Sequence, residues 1–120
     1  FKFKDLSKAG VLLALGSDSP VADPNPLLGL HAAVTRQMQD GRPTGGWYPE
    51  QRLNIREAIW GYTMGPALAS GQQRNTGSLT PGKLADFIVL DRNIFKIPAM
   101  EITDAQVVMT VVDGKIVYRG

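Results

Sequence analysis

The sequence predicts a mixed α/β chain, the closing part of a larger α/β barrel followed by a small antiparallel β unit. On its own the chain reads as α+β. Residues 11–15, VLLAL, form an unbroken apolar run between Gly10 and Gly16. A strand with one wet face alternates apolar and polar residues, so an unbroken run predicts a strand covered on both faces. A loop and a helical stripe follow it, which makes half of a parallel strand–helix unit. Nothing else before residue 75 supplies the partner strands its backbone needs. Past residue 75 the texture changes to β-branched runs and turn residues. Two units are therefore expected, 1–75 and 76–120.

Each element has a local reason. FKFKDLSKAG reads as a short helix or turn closed by Gly10. The strand of residues 11–15 follows, and residues 16–25 form a loop rich in Gly, Ser, Asp and Pro. Asn25-Pro26 starts a helix over 26–39, with Asn as cap and Pro in the first turn. Leu27, Leu30, His31, Val34 and Met38 fall at i, i+3, i+4, i+7 spacing, one packed stripe. GRPTGGWYP, residues 41–49, is a long loop of the kind that covers sites. Asn54 and Glu57 have capping-box spacing, which starts a second helical stretch over 54–71. Ile55, Ala58, Ile59 and Tyr62 form its buried face, and Gly65-Pro66 interrupts it. A strand over Phe87–Leu90 and a hairpin turning on Asp113-Gly114 complete the chain.

Composition removes several function classes. Thirteen Lys and Arg stand against eleven Asp and Glu among 120 residues, giving a formal charge of +2. The basic residues are scattered, whereas nucleic-acid binding needs them clustered. The chain has no cysteine, which excludes disulfides, thiolate metal sites and cysteine nucleophiles within it. That fits a reducing, cytoplasmic setting. The longest clean apolar run is far short of the roughly 20 residues of a membrane-spanning helix. The chain opens on Phe1, so it is expected to be a piece of a longer protein, and its start is silent on targeting.

GSDSPVADPNPLLGLHAAVTRQ, REAIWGYTMGPALASG, GSLTPGKLADFIVLD and DAQVVMTVVDGKIVYRG, in that order, resemble the amidohydrolase superfamily. The resemblance is to its YtcJ-like branch (amidohydrolase family 3), which includes N-substituted formamide deformylases. It runs from about Gly10 to Gly120. It implies a metal-dependent (β/α)8 (TIM) barrel carrying a small β-sandwich. This chain would supply the eighth barrel strand, the helices after it and part of the C-terminal sandwich. Asp18 matches the family's strand-eight aspartate. Barrel active sites lie at the C-terminal ends of the strands, where Asp18 falls. Its implied role is to contact a divalent metal, zinc in the expected case, or the metal's bound water, and to take that water's proton. The same group then delivers the proton to a leaving amine. A small-molecule amide or related C–N bond is the implied substrate.

The sequence also departs from the family pattern. The H-x-H and further histidines of the earlier strands are missing, and the chain has one histidine. A hydrolytic zinc usually has about three protein ligands and an open position. Asp18 is thus a metal ligand only together with histidines from outside this chain. The chain alone is expected to hold no metal or other cofactor and to be inactive.

Other residues carry competing readings. His31 sits on an apolar stripe and reads as a packed histidine rather than a ligand. Asp86 reads as a turn or cap residue before a strand. Arg36 either orients a loop or pairs with a carboxylate, and pairing is the expectation. Trp47 and Tyr48 either line a substrate pocket or anchor their loop. The alternative for the whole chain is a non-catalytic, β-rich interaction module. A sheet with open edges would then drive self-association.

Overall fold

A computed structural model describes all 120 residues. Helix α1 spans Phe3–Lys8, α2 Pro26–Thr35, α3 Ile55–Tyr62 and α4 Met64–Ala69. Short 3-10 turns occupy Pro49–Gln51 and Ala99–Asp104. Strands β1 (Phe87–Leu90), β2 (Val107–Val112) and β3 (Lys115–Arg119) form one antiparallel sheet in the order β1-β2-β3. The chain is a small α+β unit, and no helix is long and apolar enough to cross a membrane.

Local chemistry sets the helix ends. Asn25 caps α2, its side chain accepting from the Leu27 amide at 3.0 Å. The predicted helix over 26–39 stops four residues early. Arg36 turns left-handed (φ 60°), and its N–H bonds back to the Ala32 carbonyl. Met38 therefore leaves the stripe and is exposed, while Leu27, Leu30 and His31 are buried. At α3 the Asn54–Glu57 capping box is complete, each side chain accepting from the other's amide at 2.9 and 2.7 Å. The interruption comes at Thr63 (φ −123°, ψ −77°) rather than at Gly65-Pro66. Pro66 sits instead in the first turn of α4, where its missing N–H costs no helical bond.

The predicted strand over 11–15 does not form a ladder in this chain. No strand lies beside it, and an unpaired backbone cannot make a sheet. The Leu15 amide reaches the Gly61 carbonyl at 2.8 Å instead. The expectation of cover on both faces also gives way. Leu13 and Leu15 pack on the core, whereas Val11, Leu12 and Ala14 are exposed. One side of the segment is covered and the other is bare.

Two glycines allow the covering helices this close. A Cβ on Gly61 would stand 2.7 Å from the Leu15 side chain, and one on Gly65 would strike the Leu13 carbonyl oxygen. The core itself joins Leu27, Leu30, Leu53, Ala58, Ile94, Ile102 and Ala105. In the sheet, Phe87 faces Val111 and Val112 faces Lys115, with irregularities at Val89/Leu90 and Thr110/Val111. Asp113 and Gly114 both have positive φ (49° and 73°), the geometry of the hairpin turn that this dipeptide favours.

Candidate functional site

Asp18 lies in a turn just past the apolar segment. Its backbone is left-handed (φ 54°), a conformation Asp tolerates better than most residues. Its carbonyl accepts from the Val21 amide at 2.8 Å. The residue is exposed and joins no ion pair of the chain. Turn chemistry and an accessible carboxylate thus coexist at one position.

Gly61, near the end of α3, meets Leu15, and Gly65, in α4, meets Leu13. Glu57, in the first turn of α3, borders one cavity with Gly10, Val11, Leu12 and Leu13, and accepts from Lys4 at 2.6 Å. The start of α3 thus lies beside α1 and the beginning of the apolar segment, and residues 37–52 form the loop that feeds it.

That loop is tightly held. Trp47 N donates to the Arg36 carbonyl at 2.8 Å, and Arg36 Nε donates back to the Trp47 carbonyl at 2.9 Å. Arg52 Nε bonds Thr35 O at 3.1 Å, and Arg52 Nη2 bonds Gly45 O. Gln37 Nε2 reaches the Gly41 and Pro43 carbonyls. Held this way, Trp47 and Tyr48 pack edge to face at 5.2 Å, yet are 63% and 59% exposed. The expectation that Arg36 pairs with a carboxylate gives way. It makes no ion pair, binds a backbone carbonyl and stands 6.0 Å over the Phe3 ring. The clamps by Arg52 and Gln37 went unforeseen; the glycines at 41, 45 and 46, all with positive φ, were the available signal of a shaped loop.

A cleft of about 380 Å³ runs from Leu15, Gly16 and Ser17 to Arg36 and Tyr62. It links the Asp18 segment to the residue that holds the loop. Burial raises the pKa of the Tyr62 phenol above its ordinary value.

The other expected candidates stay apart from this cleft or serve the fold. His31 is 1% exposed, and its Nε2 has no hydrogen-bond partner. Burial lowers its pKa. Asp86 is structural, its Oδ1 accepting from the Asp113 amide at 2.7 Å to tie the hairpin turn to the start of β1. No group of three His, Asp or Glu side chains comes close enough to hold a metal ion. The residues of this chain alone do not fit a hydrolytic metal.

The amidohydrolase family model Amidohydro_3 matches residues 1–118. Over 118 residues the chain is 38% identical to Protein LONG AFTER FAR-RED 3 of Arabidopsis thaliana, covering 98% of this chain and 20% of that protein. It is 34% identical to the putative amidohydrolase YtcJ of Bacillus subtilis, with 99% and 22% covered. For the N-substituted formamide deformylase of Arthrobacter pascens the figures are 35%, 99% and 21%. The chain thus spans about a fifth of the length of these relatives. Among solved structures, the E. coli guanine deaminase superposes with a TM-score of 0.73 at 24% identity, covering 100% of this chain and 30% of that one. An amidohydrolase from Thermotoga maritima gives 0.71 at 24%, covering 98% and 26%. These likenesses carry the fold, and the sequence matches carry the family. The chain belongs to the amidohydrolase family, on its YtcJ-like branch.

Proposed function

We propose that this chain is the C-terminal part of a hydrolase that cleaves amide or other C–N bonds, with Asp18 as a catalytic carboxylate. Residues 11–15 are then the last strand of a barrel, and α3 and α4 are the helices on its outside. Residues 76–120 are part of a small β-sandwich. One observation carries the reading. The segment is covered by helices on the Leu13 and Leu15 side, bare on the Leu12 and Ala14 side, and ends in the exposed Asp18. A barrel strand has this division, with one face on helices and one toward the interior. The match of nearly all of this chain with about a fifth of an N-substituted formamide deformylase supports the reaction class.

Amidohydrolases commonly use a divalent metal. With no group of three His, Asp or Glu side chains in the chain, such an ion enters the reading only with ligands from outside it. What this chain offers by itself is an accessible carboxylate on a fixed turn, able to accept a proton and return it to a leaving nitrogen. The isolated chain is accordingly inactive.

Asp18→Asn tests the assignment in the full-length protein. The amide keeps the shape of the carboxylate and removes its basicity, so turnover is expected to fall by at least about 10²-fold. Thermal unfolding should stay unchanged, because the side chain is exposed. Near-normal activity in the variant would refute the role.

A further inference from the structure

The last two residues of α3 touch both ends of the loop that carries Asp18. Upstream of the loop, the Gly61 carbonyl accepts from the Leu15 amide at 2.8 Å. A Cβ on Gly61 would stand 2.7 Å from Leu15 Cδ1 and 2.8 Å from its Cγ. Downstream, the Tyr62 hydroxyl rests against Gly29 in α2. A Cβ there would strike the phenol oxygen and stand 2.6 Å from the ring carbon that bears it. Neighbouring residues are only about 3.8 Å apart along the backbone. One short stretch of helix therefore sets the separation of Leu15 and Gly29, and with it the span of residues 16–28. Leu15 and Tyr62 both pack on the core, so neither anchor floats. Inside the loop, the Asp18 carbonyl accepts from the Val21 amide and closes the turn. The two anchors decide where that turn stands.

We propose that Gly61 and Tyr62 are positioning residues for Asp18, a clamp on the two ends of its loop. This rests on the reading of Asp18 as the catalytic carboxylate and adds what sets its place. Carbon atoms in contact ordinarily sit about 3.5–4 Å apart, so a methyl on Gly61 pushes Leu15 away by about 1 Å. A reacting group misplaced by about 1 Å loses about 10²-fold in rate. Part of the push reaches Asp18, three residues on, and the loss expected there is about tenfold. Over-packing that acted on stability alone would not pass through Asp18.

The test uses the full-length protein, assayed well below its unfolding midpoint with N-ethylformamide as probe. Gly61→Ala should lower kcat by at least about tenfold and leave KM within about twofold. Gly29→Ala should do the same from the other end of the loop. In an Asp18→Asn background, Gly61→Ala should change the residual kcat by no more than about twofold, because no base is left to misplace. Equal losses in the two backgrounds would be general damage and overturn the proposal. In a Leu15→Ala background the clash is gone, and the loss from Gly61→Ala should shrink to within about twofold. An undiminished loss there overturns the clamp. If the wild type does not hydrolyse the probe, or Asp18→Asn is fully active, amide hydrogen exchange over residues 16–25 decides separately. Exchange made faster by Gly61→Ala and by Gly29→Ala upholds the clamp on the loop while the catalytic reading of Asp18 falls. Unaltered exchange overturns the clamp as well.

Discussion

His31 is buried among the apolar residues of α2, and its Nε2 lacks a partner. Charging it there would place a cation where nothing receives it, which is why burial lowers its pKa. In the folded protein it stays neutral at pH values where the unfolded chain already binds a proton. Above the ordinary histidine value of 6.5 both states are neutral and the residue has no pH effect. Below it, the unfolded state gains protons and stability falls with falling pH. Glu57 acts in a lower window. Burial works upward on its carboxyl, but the Lys4 hydrogen bonds, the Asn54 N–H and the Lys4 and Lys8 charges outweigh that and hold its pKa below the ordinary 4.5. Its contribution is present above that value and fades as pH falls through the lowered one. His31→Leu should therefore flatten the urea midpoint between about pH 7.5 and 5.5 and leave the loss of stability below the ordinary carboxylate value of 4.5 in place. An undiminished slope in the variant would assign that pH dependence to another group.

At the scale of elements, the joint between α4 and the apolar segment is set by glycine. Gly65→Ala raises helix propensity by ~1 kcal/mol at most. It also drives a Cβ into the Leu13 carbonyl oxygen, which is backbone and cannot swing aside. Over-packing of this kind costs about 1–3 kcal/mol, so the clash wins and unfolding should shift to lower temperature. A rise in the midpoint would show that the joint is loose. The same joint shows what could be read in advance. The capping box at Asn54–Glu57 and the Asp113-Gly114 turn are settled within four residues, so sequence pattern reveals them. The strand over 11–15 depends on partners that this chain does not bring together, so its apolar run gave the segment's location but not its pairing or its bare face. The turn at Asp18 was legible in Ser-Asp-Ser-Pro, whereas its catalytic role is the proposal above and no contact within this chain decides it. The role of Arg36 was not legible, because the left-handed turns of its loop decide which group it meets.

The whole molecule has more surface than its mass warrants. A compact monomer of 13.0 kDa exposes about 6,300 Å². This chain exposes 7922 Å², roughly 1,600 Å² more, and buries only 14 of its 120 residues. The excess is about twice what one partner contributes to an interface of standard size. Much of it is apolar, including Val11 and Leu12 on the bare segment and Ile116, Val117 and Tyr118 on β3. Because the sheet order is β1-β2-β3, the outer edge of β3 is free, and all five of its residues are exposed. An unpaired edge with apolar side chains is a template for another strand. Within a longer amidohydrolase chain these surfaces would be covered. In the isolated 120 residues we predict that copies cover one another, giving dimers or larger species by sedimentation at micromolar concentration. Val117→Lys, which sets a charge on the free edge, should shift the distribution toward monomer without changing the far-UV spectrum. A monomeric wild-type chain would mean that the excess surface is tolerated in water. Association unaffected by the lysine would move the contact from the sheet edge to the bare Leu12 face.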